Sequence, residues 1–198
     1  MTLATLLNQR HLLISDAEKP LLNIALDHGG RYRMVAPDGQ TINPLIDHLE
    51  AFAGVAILPA NGGLLGAVSV AENLSLALRY DRDPLEDNPA DWTDNLNAAL
   101  RLCGLSDERI RRIGRERPMN LDRIERWLMG FVRFLLRPPE LLVLDRTFGG
   151  LSRRQAEAIL AIEQVYHQFH PFRPTLFVDI DSHELPAVPD CLQHVEIS

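Results

Sequence analysis

The stretches Leu141-Leu142-Val143-Leu144 and Thr175-Leu176-Phe177-Val178 are nearly uninterrupted apolar runs, with none of the polar alternation of a half-exposed strand. Strands that read this way are buried on both faces, as in a parallel sheet covered by helices. Parallel neighbours need a long crossover, and residues 153–169 between the two runs have the length and spacing of a helix. The opening third reads as short strands around Leu12 to Ile14, Leu21 to Leu26 and Tyr32 to Val35, parted by polar and glycine-rich turns. A loop at 36–41 (APDGQT) then leads to a helix at 44–52, with Leu45, Leu49 and Phe52 on one side, and to a strand at 55–58. Residues 70–136 are helical in pattern, interrupted by a proline- and aspartate-rich stretch at 81–91 and by Gly104 and Pro118. The alternation predicts a single α/β domain over 1–198, with a mostly helical insertion at about 70–136.

With 198 residues, 46% of them hydrophobic and 24% charged, the chain has the makings of one ordinary core. No run of about 18 apolar residues occurs, and the opening Met1-Thr2-Leu3-Ala4-Thr5 lacks the basic flank and apolar core of a secretory signal. The expected location is cytoplasmic, peripheral to the inner membrane through a partner. Cys103 and Cys191 are the only cysteines and read as buried thiols. A net charge of -7 argues against nucleic acid as a partner, and the locally basic run at 108–117 (ERIRRIGRER) reads as a solvated helix face. Lys19 is the only lysine, so every other cation is an arginine.

Residues 121–151 (LDRIERWLMGFVRFLLRPPELLVLDRTFGGL) resemble the stretch of ABC-transporter ATPases from the signature motif to the D-loop. The family reads LSGG, a helix, a basic residue and proline, an apolar strand ending Asp-Glu-Pro, and a Leu-Asp turn. Arg137-Pro138-Pro139-Glu140, the apolar strand and Asp145 fall in the matching places without a gap. Residues 57–80 are similar to the Q-loop and the helix start that follows it, with Ser69-Val70-Ala71-Glu72-Asn73 in that place; residues 30–54 resemble the strand, phosphate loop and helix. Weaker likeness to the ATPases of Mla-type lipid transporters lies in Gly62-Gly63-Leu64-Leu65 and the segment after it. The resemblance implies a P-loop NTPase-like ABC ATPase fold. Its central sheet would be mainly parallel, its helical subdomain inserted, and its antiparallel β-subdomain reduced, because few residues separate the first helix from the strand at Val55.

The same alignment leaves the chemistry empty. A phosphate loop needs glycines to converge backbone N–H groups, a lysine for the β and γ charges, and a hydroxyl for magnesium. The matching remnant is Pro37, Asp38, Gly39, Gln40 and Thr41, followed by Ile42 at the lysine position and by Asn43 and Pro44 at the hydroxyl positions. Asp145 stands at the magnesium position, but Arg146 replaces the second acid, and a guanidinium cannot serve as a base. Asp145 is therefore expected to pair with Arg146 or another arginine. Leu121-Asp122-Arg123-Ile124-Glu125 fills the signature, with Asp122 expected as a helix cap. Ala60, Ser152 and Ile180 match the Q-loop glutamine, the D-loop aspartate and the switch histidine; His183 lies three residues beyond the last. His167 and His170, one turn apart without a third ligand in view, read as surface residues.

The resemblance then implies a non-hydrolysing pseudo-ATPase without a cofactor. Its partners would be an ABC transporter membrane subunit, another ABC ATPase subunit or a second copy. The docking surface would be lined by Asn61, Gly62, Gly63, Leu64, Leu65 and Val70, with the three apolar side chains as contacts. The alternative is a divergent ATPase that binds ATP and magnesium and energises transport.

Overall fold

The computed structural model describes residues 3–8, 10–16, 19–80, 89–180 and 190–197. They fall into two compact units, one of residues 1–60 and 138–198 and one of residues 61–137.

The first unit holds two sheets. Strands β1 (Leu3–Asn8), β2 (His11–Asp16) and β3 (Lys19–Ala25) form an antiparallel meander, in which Leu6 faces Leu13 and Ile14 faces Leu22. β1 has no counterpart in the sequence reading above. Strands β4 (Arg31–Ala36), β5 (Val55–Pro59), β6 (Leu141–Asp145), β7 (Thr175–Ile180) and β8 (Gln193–Glu196) form a parallel sheet ordered β5-β6-β7-β4-β8. Both continuous apolar runs become central strands, every residue of β6 buried, and the helix between them is α6 (Arg153–Phe169). The antiparallel sheet is small because helix α1 (Gly39–Glu50) leads into β5 after only four residues, with no strand between.

The period of two in a strand sorts its side chains between two layers. Tyr32, Met34, Leu141, Val143, Leu176 and Val178 join a core with Leu12, Ile14, Leu22 and Ile24 of the meander and with Ile42, Leu45 and Leu49 of α1. On the other layer α6 crosses the sheet, and its Glu163, fully buried, accepts from Thr175 of β7 at 2.8 Å and from Arg31 of β4 at 2.7 Å.

The helical unit comprises α2 (Val70–Tyr80), α3 (Pro89–Leu102), α4 (Asp107–Ile113), a 3-10 turn at Pro118–Asn120 and α5 (Arg123–Leu136). α5 is its centre: Trp127, Leu128, Met129, Phe131 and Val132 are buried, and Trp127 stacks on Phe131 at 4.8 Å between ring centres. The stretch Ser69-Val70-Ala71-Glu72-Asn73 does local work at the start of α2. The Glu72 carboxylate accepts from the Ser69 amide at 2.7 Å, and the Ser69 hydroxyl accepts from the Glu72 amide at 3.2 Å. The Asn73 amide group meanwhile binds both the N–H and the carbonyl of Leu65.

Candidate functional site

The candidate site lies at the carboxyl ends of β4, β6 and β7. Helix α1 starts at Gly39, five residues before the Pro44 start expected from the sequence, so Gly39 to Thr41 form its first turn rather than a loop. The reason is Asp38, whose carboxylate accepts from the Thr41 amide at 2.9 Å and from its hydroxyl at 3.0 Å. This early cap leaves Pro44 inside the helix, where it can offer no N–H to the turn before it. The two bonds from Thr41 also hold the Asp38 carboxyl below its ordinary range. A carboxylate thus sits on the helix N-terminus where the family's loop would receive phosphate.

At the end of β6, Arg146 folds back on its neighbour. Its Nε and Nη2 donate to the two oxygens of Asp145, each at 2.8 Å, and Nη1 donates to the side-chain carbonyl of Asn43 at 3.0 Å. The guanidinium therefore joins the two positions that the resemblance assigns to magnesium. Paired in this way, it is held still more firmly in its charged form. The geometry requires an unusual backbone: Arg146 has φ of 51°, the one positive value among the described non-glycine residues, and its amide donates to the Val178 carbonyl at 2.7 Å. Gly39 lies beneath; a Cβ placed there would sit 3.8 Å from Ile180 Cδ1 and 3.9 Å from Arg146 Nη1. The mouth of the loop is bounded by a capping carboxylate, a neutralised arginine and an isoleucine.

On the opposite layer Asp179 of β7 and Arg33 of β4 are almost fully buried, with Oδ2 and Nε 3.6 Å apart, beyond hydrogen-bond length. Burial raises the Asp179 carboxyl to about 6 despite the pull of Arg33 and of the Phe148 amide. The available signal was in the sequence: each is a charge inside an otherwise buried strand. Asn43 as a partner of Arg146 had no such signal, because the two are 103 residues apart.

Other expected positions resolve as structural devices. Ser152 caps α6 in a reciprocal pair with Gln155, and Ala60 follows β5. In the helical unit, Asp122 caps α5 by accepting from the Glu125 amide at 2.8 Å. His167 is a correction: instead of lying on the surface it is largely buried, 2.8 Å from Glu163 and 3.1 Å from Thr175, while His170 packs its ring edge against Tyr166. Val70 is a second correction. It is fully buried and cannot serve as an outward contact, whereas Leu65 is 58% exposed and Leu64 half-buried. His183 lies outside the described residues. Among the described residues no group of three or more His, Cys, Asp or Glu side chains could hold a metal ion, and no helix is long and apolar enough to cross a membrane.

No family profile matches the chain, and no curated protein matches it. Solved structures do. The ATP-binding cassette MJ0796, in a dimer in a post-hydrolysis state bound to ADP and Pi, is 14% identical with a TM-score of 0.60, over 90% of this chain and 85% of that one. CbiO1 from Clostridium perfringens, part of the ABC transporter complex CbiONQ, is 11% identical with a TM-score of 0.61, over 87% and 76%. A metal-chelate type ABC transporter in an inward-facing conformation is 14% identical with a TM-score of 0.60, over 83% and 68%. At these identities the likeness is one of architecture, and it agrees with the sheet, the crossover helix and the helical unit described above: the chain has the fold of an ABC-transporter ATPase domain.

Proposed function

We propose that this protein is a non-hydrolysing ABC ATPase-like subunit that assembles with, stabilises or regulates an ABC transporter. The observation that carries this reading is the Arg146 guanidinium bound to both oxygens of Asp145 and to Asn43. Magnesium could enter only by displacing a bidentate ion pair, and the incoming triphosphate would meet Asp38 on the helix N-terminus with no lysine to offset it. The sequence position after Asp145, where the family's second acid would orient an attacking water, is Arg146. A competent partner subunit would not restore catalysis, since the family's composite sites combine one chain's phosphate loop with the other's signature, and this chain lacks both chemistries. What the scaffold still offers is a surface, with Leu64 and Leu65 available for a membrane subunit.

Titration calorimetry of the purified protein with ATP and magnesium tests the reading. The expected result is no micromolar binding. Micromolar, magnesium-dependent binding, or turnover that disappears in Asp145→Ala, would establish the divergent ATPase instead.

A further inference from the structure

We infer that Arg111, Arg112, Arg115 and Arg117 of the helical unit form a docking face for an acidic segment of a partner protein. The inference is independent of how the first unit treats nucleotide.

The starting point is a separation of charge along the chain. Residues 109–137 hold nine arginines against three acids, a net of +6, whereas the rest holds eleven basic and twenty-four acidic residues, a net of -13. In the linear sequence the basic stretch looks self-compensated, because Glu116 sits between Arg115 and Arg117. The fold removes that compensation. Arg109 turns inward and takes both carboxylates that could have neutralised the surface. Its Nε and Nη2 bond Glu125 and its Nη1 bonds Glu116, at 2.6 Å for each of the latter two. Held there, Glu116 and Glu125 stay ionised well below the ordinary carboxylate range. Both give their hydrogen bonds to Arg109 and act on Arg112 only through their charge.

The four remaining arginines are exposed, and none makes a side-chain hydrogen bond or ion pair among the described residues. The backbone that carries them is fixed. The 114–116 turn accepts from the first amides of α2, Glu116 from Val70 at 2.9 Å and Gly114 from Ala71 at 3.0 Å, and Ile113 is buried beneath. The acids that feel these arginines are already engaged elsewhere: Asp107, near Arg111, is bound by Arg101, Glu116 and Glu125, near Arg112, are bound by Arg109, and Glu72, near Arg117, is bound to Ser69. Four exposed guanidiniums without hydrogen bonds, carried on a fixed backbone, offer planar, bidentate binding to carboxylates, at the cost of ordering their side chains.

The choice of occupant follows from size and from the rest of the chain. Four arginines within seven residues span only about 10 Å of helix and turn, the reach of a short acidic segment. A long polyanion or an anionic bilayer would also meet the long-range field of a chain with a net charge of -7, which repels it. Bilayer insertion has little apolar surface in the run itself, since Ile113 is buried and Met119 is the exposed large apolar residue nearest to it in sequence.

The test is fluorescence anisotropy with a labelled poly-glutamate peptide on the full-length protein, at low and physiological salt. An oligothymidine of equal length and vesicles containing phosphatidylserine run in parallel. The quadruple variant R111Q/R112Q/R115Q/R117Q is compared with R153Q/R154Q, which removes exposed arginines from α6, and the circular dichroism melt of each is recorded. The expected result is salt-sensitive peptide binding, weakened at least about tenfold in the quadruple variant and unchanged in the α6 variant. Absence of peptide binding, equal loss in both variants, or tighter binding of the oligonucleotide or vesicles overturns the inference. If the quadruple variant melts early, the reversal R115E/R117E, confined to the turn and its edge, is read in its place.

Discussion

Arg146 and Asp145 are sequence neighbours whose side chains close on each other, two nitrogens on two oxygens at 2.8 Å each, although Asp145 is buried and the guanidinium is 39% exposed. Adjacent residues of a strand point to opposite sides, so the pair forms only because Arg146 leaves the strand with φ of 51°.

That geometry sets two energies against each other. Arg146→Ala removes three charge-assisted bonds, partly screened by solvent, and keeps the left-handed backbone; it should cost about 1–2 kcal/mol. Arg146→Gly loses the same bonds but relieves about 1 kcal/mol of backbone strain. Urea unfolding should therefore rank the glycine variant above the alanine variant. The reverse order would show that the backbone there is unstrained.

Asp38 offers a separation of capping from charge. Asp38→Ala should lower the melting temperature by a few degrees, while Asp38→Ser, which keeps an acceptor for the Thr41 amide, should recover most of the loss. Its carboxyl titrates below the ordinary value, so the capping contribution is present at neutral pH and fades as pH falls through the lowered value. Melting curves of the three proteins between neutral and strongly acid pH check both points. Equal melting of all three at neutral pH would remove Asp38 as the determinant of where α1 begins.

Asp179 behaves in the opposite sense. Its carboxyl is raised to about 6 by burial, so between its ordinary value of 3.8 and about 6 the folded state holds a proton that the unfolded chain has lost. Stability from this group falls as pH rises through that window, by roughly 3 kcal/mol, and is level above it. Asp179→Asn, which can still accept from the Phe148 amide, should lack this slope. The stability of the variant relative to the parent, measured by urea unfolding at pH 4 and pH 7, should rise by most of that amount. A difference independent of pH would place Asp179 in its ordinary range.

Gly62 tests the helical unit. Its φ is 82°, and a Cβ there would lie 2.2 Å from the Arg126 carbonyl oxygen and 2.8 Å from its carbon, so backbone has to move. Gly62→Ala should cost about 2–3 kcal/mol, with hydrogen exchange speeding up in α5. Neighbouring Gly66 has open space at the same test, and Gly66→Ala should be close to neutral.

Much of this molecule is written locally. Residues 141–144 and 176–178 read as buried strands, because three or four apolar side chains in a row leave no face for water, and the helix at 153–169 has a local cap in Ser152 and Gln155. The residues at the positions that the resemblance assigns to nucleotide chemistry are equally local: Ile42, Arg146 and Ile180 are what they are in any fold. Other features belong to the tertiary structure alone. Packing of α6 on β7, where Thr175 meets it, took His167 off the surface, and Val70 turned inward. Arg146 found Asn43 across 103 residues, and Arg109 took the hydrogen bonds of both Glu116 and Glu125. Periodicity and residue type fix which side chains must leave water, since burial is a property of each residue. Which charge meets which depends on distances between elements, and only the folded chain sets those.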